Sequence, residues 1–324
     1  RNLTGTRFVG RCSPEELRAA HDRIRAVVAG LDQFDDGWIL EIAEIGLLDR
    51  QFLLERHLLS HDLTSEGRSR GVAVTGDEAI SVMFNEEDHL RLQCLKSGMQ
   101  LDEAWKAVDE LDDRLARELP IAYDGQLGYL TSCPTNVGTG VRASLLIHLP
   151  ALVLTQKIKK VLAGVSQVGL AVRGFHGEGS DVLGNFFQIS NQVTLGMTEE
   201  STLDKLQGVV LQVLEMEEKA RDSLQRDARP QVLDKIGRSL GTLKYARILS
   251  SQECMGLLSA VRLGVTMGLK NLPDLATLNE ILLCCQPAHL QKRAGREMSS
   301  MERNERRAEW IRQTLGVSDA PQPR

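Results

Sequence analysis

Apolar residues recur every three or four positions over two parts of the chain and every second position between them, so the pattern alternates between helical and extended segments. Ser13-Pro14-Glu15-Glu16 joins a capping box to a proline at the first helical position. Leu17, Ile24, Val27, Val28 and Leu31 continue one face, which predicts a helix from 14 towards 30. Residues 35–56 mix acids with Ile39, Leu40, Ile45, Leu48 and Phe52 and read as irregular helix. After a polar loop at 65–69, Val72 and Val74, then Ile80, Val82 and Phe84, alternate as two antiparallel strands turning at Thr75-Gly76-Asp77. Leu101, Trp105, Val108, Leu111, Leu115 and Leu119 predict an amphipathic helix that Pro120 stops. An alternating run at Leu145, Ile147 and Leu149 leads into a helix over 150–162 and a strand over 168–172. A strand pair then runs through Phe187 and Ile189 to Val193 and Leu195, turning at Ser190-Asn191.

From Thr202 onward the spacing is helical throughout. Leu203, Leu206, Val210, Val213, Leu214 and Leu224 mark one long helix, and 232–240, 251–269, 275–283 and 300–315 mark others. Hairpin-joined strands followed by helices predict an α+β fold, a mostly antiparallel sheet flanked by helices and then an all-α C-terminal domain. Charge is densest at 220–229, where Pro230 also interrupts, so the boundary is set between 221 and 222. The polar tail after Val317 is predicted to be disordered.

Composition narrows the function classes. A chain of 324 residues, 42% of them hydrophobic, can bury a sizeable core. A formal net charge of −5 carries no basic footprint for nucleic acid. The six cysteines lack any C-x-x-C pair or zinc spacing and fit a reducing cytoplasm; no resident metal is expected. The nearest candidate for a membrane span, 143–155, is broken by His148 and Pro150, and no signal peptide is visible.

Three polar segments carry the candidate chemistry. The turn of Cys133, Pro134, Thr135, Asn136, Gly138, Thr139 and Gly140 leads through Arg142 into the alternating run, and backbone N–H groups in such turns can converge on an anion. Its polar, glycine-rich setting favours an exposed Cys133 with a lowered pKa. Asn85-Glu86-Glu87-Asp88-His89-Leu90-Arg91 follows the second predicted strand, and strand alternation sends Glu87 to the face opposite Glu86 and Asp88. Three adjacent acids repel unless a metal, an arginine or a cationic substrate stands among them. Arg91 either contacts phosphate or neutralises these acids, and His89 reads as a packed residue. Arg173-Gly174-Phe175-His176-Gly177-Glu178-Gly179 is a strand exit into a glycine-rich loop with an isolated carboxylate. Arg91, Arg142 and Arg173 without a phosphate-loop lysine suggest a kinase that neutralises charge with guanidinium groups and Mg²⁺. Glu87, Glu178 and a thiolate suggest a cationic acceptor, and a guanidinium fits two carboxylates well.

Cys133-Pro134-Thr135-Asn136-Val137-Gly138-Thr139, the 85–91 segment and the 173–178 loop together resemble the ATP:guanidino phosphotransferase family, which includes creatine and arginine kinases. The helical region holding Gln286-Pro287-Ala288-His289-Leu290-Gln291-Lys292 and Arg303-Asn304-Glu305-Arg306-Arg307-Ala308 is similar to that of the bacterial protein arginine kinases, which phosphorylate arginine side chains and mark proteins for a Clp protease. The resemblance implies a phosphagen-kinase-like catalytic domain over 1–221 and a helical domain over 222–324 that dimerises and senses phosphoarginine. It implies ATP with its Mg²⁺, protein substrates with exposed arginine, an activator protein, a homodimer, and no nucleic-acid or membrane partner. Glu87 would take a guanidinium proton, Glu178 would orient the other face of the group, and Cys133 would lie against it. Arg91, Arg142 and Arg173 would hold phosphates with His57 near the nucleotide. The backbone of Arg142, Ala143, Ser144, Leu145 and Leu146 and of Arg173, Gly174, Phe175, His176, Gly177 and Glu178 would complete the ATP pocket. Arg303, Asn304, Arg307 and Ala308 match the family's RDxxRA allosteric pocket, with Asn304 in place of its aspartate. The family's serine-serine-arginine-x-arginine segment would lie just upstream of Arg1, so the chain is expected to be truncated there. A small-guanidine kinase and a catalytically impaired phosphoarginine-binding adaptor are the alternatives.

Overall fold

Ser13 accepts the Glu16 N–H, and Glu16 accepts the Ser13 N–H in return, so the predicted capping box starts helix α1, Pro14–Ala29. The computed structural model describes residues 1–65, 67, 69–174 and 183–317. They fall into two compact units, Arg1–Ala143 with Asn191–Gln207, and Ser144–Ser190 with Gly208–Arg324. The predicted disordered tail at 318–324 lies outside the described residues, as do 66 and 68 of the polar loop.

In the first unit α1 is followed by β1 (Trp38–Glu41), α2 (Leu47–Glu55), α3 (His61–Thr64), β2 (Gly71–Val74), β3 (Ile80–Phe84), β4 (Leu90–Cys94) and α4 (Leu101–Glu118), then the two-residue strands β5 (Tyr123–Asp124) and β6 (Gly128–Tyr129). Strands β1 to β4 form one sheet in chain order, each antiparallel to the next. Both faces are covered. Ala73, Val82 and Phe84 meet Ile24 and Val28 of α1 and Leu111 and Leu115 of α4, while Val72, Val74 and Met83 meet Leu53, Leu58, Leu59 and Leu63. Each such side chain contributes about 1.5–3 kcal/mol by leaving water, which fixes the register, because a one-residue slip would exchange the two faces.

Residues 35–56 are a correction to the expected irregular helix. Residues 38–41 form an edge strand on β2, and only 47–55 are helical. Ladder pairing with β2 outweighed the local pattern, as tertiary context does at short strands.

After Ala143 the chain forms β7 (Ser144–His148), α5 (Pro150–Leu154), α6 (Ile158–Gln167), β8 (Leu170–Arg173) and β9 (Phe186–Asn191), with sheet order β7-β9-β8. The helices α7 (Glu199–Asp227), α8 (Arg229–Tyr245), α9 (Ser251–Thr266), α10 (Leu275–Cys284), α11 (Pro287–Ala294) and α12 (Ser300–Thr314) follow. Leu243, Leu258, Val261, Leu278, Ile281, Ala308 and Ile311 close one core among α8, α9, α10 and α12. Two expectations change. The helix over 150–162 is two helices, broken where Gln156 takes φ 58°. The strand pair at 187–195 is a single strand, because β9 pairs with β7. No turn forms at 190–191, since Asn191 instead accepts the Ala143 N–H at 2.8 Å and donates to the Val141 carbonyl at 2.9 Å. Val193 and Leu195 are left exposed. Among the described residues no helix is long and apolar enough to cross a membrane.

His148, half-buried on β7, is a pH-sensitive residue of the second unit. Its Nε2 lies 2.8 Å from Ser259 Oγ, which also accepts from Asn185 Nδ2 at 2.7 Å, and its ring stacks on Phe186 at 4.8 Å. Burial first, then the charges of Arg262 and Arg221, push its pKa down to about 3 from 6.5. The unfolded chain therefore takes up a proton below pH 6.5 that the folded chain refuses until about pH 3, so stability falls as pH drops through that window. We expect His148→Gln to remove up to about 1.4 kcal/mol of lost stability per pH unit, read as the difference between urea unfolding midpoints of variant and wild type at pH 7 and pH 5.

Candidate active site

Hairpin geometry at the end of β3 sets the acidic segment. Asn85 adopts φ 52° and its N–H meets the His89 carbonyl at 3.0 Å, so residues 85–89 form the loop between β3 and β4 rather than a strand end. Asn85 Nδ2 donates to the carbonyls of Leu17 and Ser69, both at 2.8 Å, anchoring the loop base. Glu86 and Asp88 are buried with protein partners: Glu86 accepts from Arg91 at 2.7 Å and from the Glu87 N–H at 2.9 Å, and Asp88 accepts from Asn2 Nδ2 at 2.7 Å and the Ser132 N–H at 2.6 Å. Glu87 alone faces outward. The expected separation of Glu87 from its neighbours holds, though loop geometry and not strand alternation produces it. Desolvation, then the charges of Asp88 and Glu86, raises the Glu87 pKa, with Arg91 opposing.

The Asp88 to Ser132 bond puts the cysteine turn beside this loop. Cys133 is half-buried, with Sγ 3.0 Å from Thr135 Oγ1, and it opens the single turn Pro134–Asn136. The turn closes through Gly138, where φ is 112° and a Cβ would stand 2.4 Å from the Thr194 carbonyl oxygen, so no other residue fits without displacement. A cavity of about 340 Å³ opens between the two loops, lined by Val9, Gly10, Leu17, Arg70, Asn85, Glu86, Glu87 and Ser132. Asn2, Val9, Gly10, Arg70 and Ser132 were not among the predicted site residues. Asn2 and Ser132 are recruited by their long-range bonds to Asp88, which no local signal marks.

Arg91 extends from β4 and spends one Nη1 donor on Glu86, with its side chain half-exposed, so it does neutralise the acids. His57 follows α2 at φ 59°, exposed, and its carbonyl accepts from Gln93, two residues along β4 from Arg91. Arg142 is exposed and Ala143 buried at the end of the first unit. In the second unit Ser144 and Leu146 of β7 are exposed and Leu145 is half-buried. Arg173 ends β8 and Gly174 is buried. Phe175, His176, Gly177 and Glu178 lie outside the described residues, so the second predicted carboxylate has no geometry to compare with Glu87. Among the described residues no group of three or more His, Cys, Asp or Glu side chains is arranged to hold a metal ion.

Residues 19–220 match the family model described as ATP:guanido phosphotransferase, C-terminal catalytic domain, and 229–324 match that of the protein-arginine kinase McsB C-terminal domain. The protein-arginine kinase of Symbiobacterium thermophilum is 47% identical over 98% of this chain and 91% of its own, and that of Moorella thermoacetica 46% over 97% and 91%. This chain belongs to the protein-arginine kinase family of ATP:guanido phosphotransferases. Solved structures agree on the fold. The substrate-free duplicated taurocyamine kinase from Schistosoma mansoni superposes with a TM-score of 0.58 at 26% identity, over 67% of this chain and 32% of that one. A lombricine kinase gives 0.61 at 22% identity, over 70% and 65%.

In the C-terminal domain of this kinase family member, Arg303, Asn304, Arg307 and Ala308 lie on α12. Arg307 is 1% exposed and held by neutral acceptors: Nε donates to the Cys285 carbonyl, and Nη1 to the Leu249 carbonyl and Asn304 Oδ1, each at 2.8 Å. Burial lowers its pKa, the direction expected for a cation taken out of water. Asn304 thus keeps the pinning contact without the charge. Arg303 is half-buried and donates to the Met298 carbonyl at 2.6 Å, while Ala308 packs in the helical core.

Two outcomes check these contacts. Asp88→Asn removes a charge that raises the Glu87 pKa, so carboxyl-carbon NMR should find Glu87 titrating at lower pH in the variant than in wild type. Arg307→Ala leaves two buried carbonyls without their guanidinium partner, and thermal unfolding of the helical domain should register a loss of about 2–5 kcal/mol.

Proposed function

We propose that the chain transfers the γ-phosphoryl group of MgATP to arginine side chains of proteins. A guanidinium nitrogen attacks the γ-phosphorus in line, a proton passes from that nitrogen to Glu87, the bond from phosphorus to the bridging oxygen breaks, and ADP leaves with the pair of electrons. What supports this reading is the Asp88 to Ser132 hydrogen bond, which brings the Glu87 loop next to the residue before Cys133, with Glu87 and Ser132 both lining one cavity of a size suited to a guanidino group and its chain. A base with a raised pKa is better matched to accepting a proton near neutral pH than an ordinary carboxylate. From the family we assign Cys133 and Glu178 to the guanidinium and Arg91, Arg142 and Arg173 to the phosphates. His57 and the backbone of 142–146 and 173–178 are assigned to the rest of the nucleotide. Mg²⁺ arrives with ATP. Residues 222–324 we assign to dimerisation and phosphoarginine sensing, and the product to Clp-type proteolysis in the cytoplasm with an activator protein.

Glu87→Gln should lower phosphoarginine formation on a denatured protein substrate by about 10²–10⁴-fold, with Cys133→Ala also well below wild type, measured by acid-labile ³²P incorporation. Unchanged turnover in both variants would refute the assignment. Robust transfer to free arginine with none to protein would replace it by a small-guanidine kinase.

A further inference from the structure

The cavity beside Glu87 is lined by charges of both signs, Glu86 and Glu87 on the loop after β3 and Arg70 just ahead of β2, with Val9, Gly10 and Leu17 contributing apolar surface. Glu86 already has an ion-pair partner in Arg91, at 2.7 Å. The Arg70 backbone is fixed, since its carbonyl accepts the Ile42 N–H at 2.9 Å and the preceding carbonyl, of Ser69, accepts from Asn85. Its side chain is half-buried and spends only Nη1, on the Asp62 carbonyl at 3.1 Å and Ser65 Oγ at 3.4 Å. Among the described residues Nε and Nη2 donate to no acceptor, which leaves one edge of a planar donor fork for a ligand.

We infer that Arg70 is a specificity-determining residue of the acceptor site, binding a carboxylate carried a few atoms from the guanidinium that enters at Glu87. This rests on the phosphotransferase reading of the cavity. The favoured acceptor is an arginine flanked by an acidic residue. The same fork fits the α-carboxylate of a free arginine or a chain terminus, so the two sources of carboxylate are separated in the test.

The experiment measures kcat/KM of the full-length kinase on end-blocked peptides whose single arginine is flanked by Glu, Gln or Lys, and on free arginine against arginine amide. Wild type should prefer Glu over Gln by about fivefold, the scale of a half-exposed ion pair, with Lys poorest. Arg70→Gln should bring the Glu-to-Gln ratio to one, and Arg70→Glu should reverse the order so that Lys is best, a reversal that loss of local structure cannot produce. A matching preference for free arginine over its amide assigns the fork to either carboxylate, whereas no such preference restricts it to side chains; both uphold Arg70. A wild type indifferent to the flank, or a Glu preference that survives Arg70→Gln, overturns the inference. Absence of any phosphoarginine on the Gln-flanked peptide in wild type would overturn the phosphotransferase reading instead.

Discussion

A single buried carboxylate, that of Asp88, ties together the two loops on which the chemistry depends. It accepts from the Ser132 backbone and from the side chain of Asn2, whose Oδ1 in turn accepts the His89 N–H at 3.1 Å. An aspartate suits the position because it offers only acceptors, and its Oδ1 meets both N–H groups at once. Glu87 projects outward because its neighbours on both sides are held inward.

The electrostatics follow from the same packing. Burying two acids next to a third would be costly without partners, and the partners are Arg91 for Glu86 and neutral N–H groups for Asp88. That arrangement leaves the charge of Asp88 acting on Glu87 and balances only part of the repulsion. The loop therefore carries one carboxylate biased towards holding a proton, on a hairpin whose strands are covered on both faces. Rigid support of this kind suits a group that must meet a substrate nitrogen at fixed geometry.

The helical domain handles charge differently. Arg307 is placed among carbonyl dipoles and an amide, where three hydrogen bonds from Nε and Nη1 cross-link the start of α9, the end of α10 and α12. Of the arginines that match the allosteric motif, one is thus structural by its contacts. Half-buried Arg303 keeps more of its surface.

Much of the fold was legible along the chain. The capping box at Ser13, the Leu111 and Leu115 stripe, the two-residue alternation of β3 and the helices after Thr202 are local signals, and local physics produces them. Where the pattern misled, a distant partner decided: β1 became a strand by pairing with β2, and β9 ran straight by pairing with β7 instead of folding back. The acidic loop and the cysteine turn could be named as chemistry from residue type and spacing, because carboxylates, thiols and glycines keep their properties in any fold. That Glu87 is the exposed acid, that Ser132 and Asn2 hold its loop, and that Arg70 lines the same cavity follow only once segments separated by up to 128 positions meet, since burial and hydrogen-bond pairing are properties of the packed chain and not of any stretch of it.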